Sequence, residues 1–358
     1  SDVCSSDLIV DYLSPFYSEQ KKPVNTWVAS LLIAFAVSIR YEMLVFWVAY
    51  VGYLFLQRDY RKAFVVGAVS MSPVVIFSGF LYSLGLGVLP ASVIAKKVGK
   101  GTFLENFAIS VSKNISEHQS TVLLLILAVV ILFIARQKLA NLKNLWFVLV
   151  PVALHLLVGR FGWFYRYEVY VFLFEGLILA LLLSYEQLRI RGITLWCILL
   201  LAAFWPYFTS VEKLRLACSN ITNQQGLTLE FVTKYLKEPV GVNDIGLIGF
   251  KYDQYILDLF GLASAEALKL RLNSADFGWV NDLADRHNVQ VLFVYDRWVR
   301  PDAQWVRVAD FTVTEKSVVL GDLTVAVYAR PARVEGLKQS LTVFQTDLGD
   351  KPVTLQIY

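Results

Sequence analysis

The chain has 358 residues, of which 56% are hydrophobic and 17% are charged, and its formal net charge is +4. This composition is too apolar for an ordinary soluble domain and predicts an integral membrane protein. The positive charge is not gathered into a long Lys/Arg tract, so the sequence indicates no nucleic-acid partner. Its three cysteines suggest no disulfide framework.

The first eight residues, SDVCSSDL, can be encoded by the end of a sequencing-library adaptor that is read in frame. We therefore expect residues 1–8 to be an artefact joined to a shortened reading frame. A natural short N-terminus is the alternative. On the first interpretation, any membrane spans that precede Ile9 are missing from the sequence.

Residues 9–209 contain seven long apolar runs, which predict an α-helical polytopic membrane domain of about seven spans. The runs are 24–39, 43–56, 63–84, 121–136, 145–159, 169–184 and 194–209. Several are shorter than the roughly 20 residues that cross about 30 Å of hydrocarbon. Either flanking aromatic residues extend these runs, or some of them are half-helices among their neighbours.

Basic residues occur in every second connection between the runs, near positions 21, 58, 138 and 189. The positive-inside rule places such connections in the cytoplasm. Counting the spans alternately then places residues 210–358 on the exported side. The sequence therefore predicts a multi-pass protein of the bacterial inner membrane with a periplasmic C-terminal domain.

Several cations fall close to span ends on the predicted exported face, where the positive-inside rule disfavours them. They are Arg40, Lys96, Lys97, Arg160 and Arg166. These side chains can extend to headgroups or pair with Glu42 and Glu168. The alternative is that they bind an anionic ligand such as a lipid phosphate, for which arginine offers a bidentate fork.

Residues 210–358 have the charge density and turn residues of a globular domain. Short β patterns and helical spacing within them predict a small α/β or α+β domain. GVNDIGLIGF and YILDLFG predict buried strands, and LTVFQT at 341–346 predicts another β segment. Gly246 and Gly249 do not form a nucleotide loop, because GxGxxG is incomplete and no helix is predicted after it.

Asp244 and Asp258 fall at the carboxyl side of two adjacent predicted strands. Carboxylates at that edge of a sheet can line a substrate cleft. They can equally act in turns and helix caps, which are common roles for aspartate. Both roles stay open at this point.

Four segments carry a joint resemblance. SIRYEMLVF (38–46), LPASVIAKK (89–97) and FGWFYRYEVYVF (161–172) are similar to "LTRPEGLL", "LPNTYYAK" and "GDW…RY…P", although the third lacks the acidic residue. NDIGLIGFKYDQYILDLFGL (243–262) is similar to "NDIGAIGYY…VIDLxGL". These segments, in this order, are typical of bacterial GT-C-type membrane glycosyltransferases, which the chain therefore resembles.

The resemblance implies an enzyme that transfers a sugar from a polyprenyl-phosphate donor to a glycan, lipid or protein acceptor of the cell envelope. It implies phosphate or substrate contacts by Arg40, Glu42, Lys96, Arg166 and Tyr167, with Asp244 and Asp258 as possible acceptor-side residues. The general base of the family is an Asp in an exported loop that would precede this sequence. The catalytic residue is therefore unknown, and we expect the chain to be inactive alone.

Two other functions stay open. One is a transporter or flippase for a lipid-linked glycan, which the acidic residue Glu175 within an apolar run would suit, although the sequence has no repeated set of spans. The other is a non-catalytic scaffold that binds envelope material. The sequence shows no His, Cys or carboxylate spacing typical of a metal site and no cofactor motif, and a requirement for a divalent metal stays open.

Overall fold

The structure is a computed structural model that describes residues 25–95, 103–117, 119–135, 142–159, 161, 164–185, 190–349 and 351–358. The chain divides into two compact units. The helical unit lies within residues 1–80 and 101–210, and the α/β unit lies within residues 81–100 and 211–358.

Apolar α-helices dominate the first part of the described chain. They are α1 (Thr26–Ile39), α2 (Leu44–Leu56), α3 (Tyr60–Ser83), the short α4 (Ala91–Ile94), α5 (Phe103–Glu117), α6 (Gln119–Ala135), α7 (Leu142–Val158), α8 (Val169–Tyr185) and α9 (Ile190–Ile221). A 3-10 turn, Tyr41–Met43, separates α1 from α2. The main core of the helical unit includes side chains of α2, α6, α7 and α8, with Leu124, Val152 and Phe172 at its centre.

The prediction of a seven-span membrane domain is wrong. Among the described residues, α3 is the one helix that is long and apolar enough to cross a membrane. Five other predicted spans are helices of only 13 to 17 residues, namely α1, α2, α6, α7 and α8. At 1.5 Å per residue, even about 17 residues extend only about 26 Å, which is less than the hydrocarbon thickness. The predicted orientation of residues 210–358 depended on a count of seven spans, so it no longer follows from the sequence.

The C-terminal part is an α/β region built on a six-stranded mixed sheet. Its strands are β1 (Val240–Val242), β2 (Ile256–Asp258), β3 (Val291–Val294), β4 (Val306–Val313), β5 (Thr324–Ala329) and β6 (Val353–Ile357). Their order in the sheet is β2-β1-β3-β5-β4-β6. The first three strands are parallel, and the β3–β5, β5–β4 and β4–β6 pairs are antiparallel.

Helices cover both faces of this sheet. They are α10 (Leu227–Phe231), α11 (Gly246–Lys251), α12 (Ala265–Asn273), α13 (Trp279–Arg286) and α14 (Val334–Asp347). Strand β3 is buried along its whole length, with Phe293 in one core cluster and its neighbours Leu292 and Val294 in the other. Because successive side chains of a strand point to opposite faces, burial on both faces explains the continuous apolar sequence of β3.

Two local predictions in this region are also wrong. Of the pattern GVNDIGLIGF (241–250), only Gly241 and Val242 belong to strand β1, and α11 occupies Gly246–Lys251. LTVFQT lies inside helix α14, which buries Leu337, Leu341 and Phe344 against the core. Those positions have the i, i+4, i+7 spacing of a helix face, whereas the six residues alone resemble a strand.

Candidate functional site

Arg40 and Glu42 lie at the turn between α1 and α2. Helix α1 ends at Ile39 because Arg40 adopts an extended conformation, with φ of −146°. The 3-10 turn that follows brings Glu42 back toward Arg40, so that Arg40 Nη2 lies 3.5 Å from Glu42 Oε1. The two side chains are 31% and 33% exposed, so a ligand can reach the pair from solvent.

Arg40 also contacts the loop between α7 and α8. Its Nη1 donates a hydrogen bond of 3.1 Å to the backbone carbonyl of Arg166. The Arg166 Nη2 donates to the Tyr167 hydroxyl at 2.9 Å, and its guanidinium carbon lies 4.9 Å from the Tyr167 ring centroid. The structure thus brings together Arg40, Glu42, Arg166 and Tyr167, which we call the arginine cluster.

The backbone of this loop is strained. Phe164 and Tyr165 have φ values of 62° and 59°. These values lie in the left-handed region, which residues other than glycine and asparagine rarely adopt. The Tyr207 hydroxyl donates to the backbone carbonyl of Tyr165 at 2.9 Å. Hydrogen bonds from Tyr207 and Arg40 to successive carbonyls therefore help to hold the loop in this conformation.

A buried histidine–tyrosine pair belongs to the same helical unit. His155 is fully buried, and its Nδ1 lies 2.8 Å from the Tyr170 hydroxyl. Its other nitrogen, Nε2, has no hydrogen-bond partner within the described ranges. The ring also makes an edge contact with Phe161, at 4.6 Å between centroids, so His155 is closely packed.

Lys96, the remaining predicted phosphate contact, lies outside the described residues. Nothing in the arginine cluster suits a metal ion, because two of its four side chains are cations. Within the part of the chain that the structure describes, no group of three or more His, Cys, Asp or Glu side chains is arranged to hold a metal.

Asp258 ends strand β2 and is buried. Its Oδ1 accepts hydrogen bonds of 3.0 Å from the backbone N–H groups of Phe260 and Gly261, and its Oδ2 accepts one of 2.6 Å from Ala263. An aspartate that accepts from three backbone N–H groups just after its strand organises the turn that follows. These contacts describe a turn residue rather than the wall of a cleft.

Asp244 lies in a different environment, two residues after β1. Its Oδ2 accepts a 2.6 Å hydrogen bond from Gln225 Nε2. Burial raises the pKa of this carboxyl, and hydrogen bonds from the Gly246 backbone and from Gln225 oppose that shift in part. Asp244 borders a small cleft of about 20 Å³ together with Gln225, Asn243 and Tyr295.

The sequence did not point to the other polar residues of this cleft. Asn243 directly follows a buried strand, which is a usual position for a ligand-binding side chain, and that was the one available signal. Gln224 and Gln225 lie in a π-helical turn, Thr222–Gly226. Helix α10 separates this turn from β1. No sequence pattern places that turn beside the end of β1.

A family model described as a domain of unknown function, DUF8728, matches residues 219–328. No curated protein and no solved structure matches the chain. The matched range contains strands β1 to β4, all of β5 except its last residue, and every residue that lines the cleft. It leaves out the arginine cluster.

Proposed function

We propose that the chain is part of a membrane glycosyltransferase that transfers a sugar from a polyprenyl-phosphate donor to a cell-envelope acceptor, and that the arginine cluster binds the donor phosphate. The four segments that resemble GT-C-type enzymes suggest this activity. The observation that supports it best is the hydrogen bond from Arg40 to the carbonyl of Arg166. Two of the four segments, 38–46 and 161–172, meet at that bond.

The chemistry of the transfer suits this cluster. An acceptor hydroxyl attacks the anomeric carbon of the donor sugar, the bond from that carbon to the phosphate oxygen breaks, and a base takes the hydroxyl proton. The departing polyprenyl phosphate gains negative charge, which a nearby guanidinium stabilises. Arg40 offers a planar set of donors for phosphate oxygens, and Glu42 positions it.

Exposed apolar surface supports a membrane location. Only 11% of the apolar window of α3 is buried within the protein. Phe64, Ile76 and Phe80 of this helix are 76%, 71% and 57% exposed. An exposed apolar surface of this size is usually shielded from water by another molecule. In this proposal, lipid of the bacterial inner membrane shields it.

Lipid binding by the purified chain in detergent tests the proposal, with a polyprenyl phosphate and the matching phosphate-free polyprenol as probes. We expect the phosphate-bearing lipid to bind more tightly than the polyprenol. Arg40→Gln should weaken binding of the phosphate-bearing lipid about tenfold, because a charge-assisted contact is lost. Arg61→Gln, which removes an exposed cation elsewhere in the helical unit, should leave affinity unchanged. Equal binding of the two lipids by the unaltered chain contradicts the proposal.

Activity separates an enzyme from a transporter. In a protein that joins this chain to a segment supplying the general base, we expect label from a polyprenyl-phosphate sugar to enter a new glycosidic bond, and Arg40→Gln to abolish this transfer. Movement of the labelled lipid across a liposome membrane without bond formation would favour the flippase instead. Both results leave the phosphate-binding measurement valid.

A further inference from the structure

The chain turns sharply where helix α3 ends. The N–H of Gly85 donates to the carbonyl of Tyr82 at 3.0 Å, and the N–H of Leu86 donates to that of Leu81 at 3.1 Å. This pair of bonds commonly ends a helix at a left-handed glycine, and Gly85 has a φ of 72°. Residues 84–90, which we call the apolar loop, then lead to α4 without helix or strand structure.

The apolar loop exposes its large side chains to the surroundings. Leu84, Leu86, Val88 and Leu89 are 57%, 44%, 57% and 37% exposed. A Cβ on Gly85 or on Gly87 would meet nothing within 4 Å, so both glycines lie on open surface. Four exposed apolar side chains within six consecutive residues form a surface that is unfavourable in water.

The length of α3 relates this loop to a bilayer. Arg61 and Lys62 are exposed near the start of the helix, which ends at Ser83. From Lys62 to Ser83 the helix rises about 32 Å at about 1.5 Å per residue, which matches the roughly 30 Å of hydrocarbon in a bilayer. When α3 spans the membrane with these cations at one headgroup layer, the apolar loop emerges at the opposite layer.

The irregular backbone of the loop limits its depth in the membrane. Loops exposed to lipid do not lie within the hydrocarbon, because their N–H and C=O groups would have no partners there. At the boundary between headgroups and acyl chains, water still reaches the backbone, while apolar side chains can enter the lipid by about 5–10 Å. Tyr82, which is 71% exposed in the last turn of α3, is of a residue type that is enriched at this level.

We propose that the apolar loop inserts its side chains into the headgroup–acyl boundary of the bilayer and anchors the α/β unit there. The loop belongs to the α/β unit. Arg271 of α12 contacts the segment that follows the loop, since its Nη2 donates to the carbonyl of Ala95 at 3.4 Å. Its guanidinium carbon also lies 3.9 Å from the centroid of the Phe260 ring, so the attachment to the unit is packed.

Two observations favour lipid over a protein partner. The exposed apolar side chains of the loop continue those of α3, where Ile76 and Phe80 are 71% and 57% exposed. Specific protein interfaces surround an apolar centre with a polar rim, whereas residues 81–95 contain no charged side chain. The same lack of charge means that the contact needs no anionic headgroup, so phosphatidylcholine is a sufficient probe.

This inference rests on the membrane location within the proposed function and not on sugar transfer. Absence of transferase activity therefore leaves it intact. A label on α3 tests the membrane location separately from the loop.

Quenching of a fluorescent label by lipid nitroxides tests the proposal. The full chain, with its three cysteines replaced by serine, is reconstituted into phosphatidylcholine vesicles that carry a nitroxide at a shallow or a deep acyl position. Single labels are attached through Leu86→Cys or Val88→Cys in the loop, Ile76→Cys on α3, and Asp253→Cys. Asp253 is the matched control, because it is an exposed residue of the α/β unit outside the loop.

We expect the shallow nitroxide to quench both loop labels about twofold more than the deep one does. The Asp253 label should be quenched by neither nitroxide but fully by iodide in the water. Thermal unfolding shows whether each variant is folded, and Val88→Cys decides the question alone where Leu86→Cys fails to fold.

Three results would overturn the proposal in different ways. Quenching of the Ile76 label by the deep nitroxide, with loop labels as open to iodide as the Asp253 label, would keep α3 in the membrane and exclude the loop from it. Absence of lipid quenching at Ile76 and in the loop would reject the membrane location as well. Loop labels that are shielded from iodide but not quenched by lipid would assign the surface to a protein partner.

Discussion

The guanidinium of Arg40 donates a hydrogen bond of 3.1 Å to the backbone carbonyl of Arg166, which is 126 positions away in the sequence. This bond joins the α1–α2 turn to the loop before α8. Arg40→Lys keeps the charge but loses the planar fork that also reaches Glu42. We expect a loss of about 1 kcal/mol in the free energy of unfolding and faster amide exchange at residues 164–168.

Hydrogen exchange followed by mass spectrometry measures this effect directly. Arg61→Lys is the matched control, because Arg61 is exposed and lies on a different helix. Unchanged exchange at 164–168 in Arg40→Lys would mean that Arg40 does not hold the loop.

Tyr207 holds the same loop from α9. Tyr207→Phe removes the hydroxyl that donates to the Tyr165 carbonyl but keeps the ring and its packing. We expect a destabilisation of about 1 kcal/mol, and faster exchange confined to the segment that contains Phe164 and Tyr165. Since these two residues have positive φ, the loop should relax when the bond is lost. Exchange that increases equally throughout the helical unit would contradict this local role.

The arginine cluster illustrates what sequence can and cannot provide. Arg40 and Arg166 could be selected because cations near the ends of apolar runs need an explanation, and the resemblance named the same positions. Their contact could not be predicted from spacing. It depends on the break at Ile39 and on the left-handed backbone of Phe164 and Tyr165, and neither residue is of a type that usually adopts that conformation.

Asp258 gives the clearest test of a structural role. Asp258→Ala removes an acceptor from three backbone N–H groups, and we expect it to cost about 3 kcal/mol of stability. Asp276→Ala is the control, because Asp276 accepts one exposed backbone bond, from Gly278, and should cost less than about 1 kcal/mol. Denaturant unfolding measures both variants. An Asp258→Ala variant with wild-type stability would restore the cleft interpretation of this residue.

The same comparison explains why the α/β region was only partly predictable. The pattern YILDLFG contains the observed strand β2, which is a local feature of the sequence. The difference in role between Asp244 and Asp258 does not come from a local sequence pattern. It follows from the pairing of β1 with both β2 and β3, which leaves Asp244 beside Gln225, and from the tight turn that uses both oxygens of Asp258.

The raised pKa of Asp244 predicts how the stability of the protein depends on pH. Burial raises its pKa in the folded protein, so between the unfolded and folded pKa values the folded state binds more protons than the unfolded state. Stability therefore falls as pH rises through that window. Asp244→Asn removes this titration, and we expect its melting temperature to depend less on pH above the ordinary aspartate range. Circular dichroism melts across acidic to neutral pH measure the difference. A steeper fall in the variant than in the wild type would contradict it.

Gly261 and Gly85 separate two reasons for requiring glycine. Both have positive φ, of 82° and 72°. A Cβ on Gly261 would lie 2.6 Å from the backbone of Leu268, whereas a Cβ on Gly85 would meet nothing within 4 Å. Gly85→Ala should therefore cost only the conformational penalty of about 1–2 kcal/mol, and Gly261→Ala should cost a further 1–3 kcal/mol because the backbone of α12 cannot move away without disrupting its packing.

Denaturant unfolding of the two variants under identical conditions measures this difference, since each replaces the same hydrogen by the same methyl group. The Asp258 turn includes Gly261, so Gly261→Ala should also increase amide exchange at residues 260–263, where Asp258 accepts its hydrogen bonds. Equal destabilisation by the two substitutions would show that α12 tolerates a side chain at position 261. In that case the close approach of the turn to Leu268 would not explain the glycine.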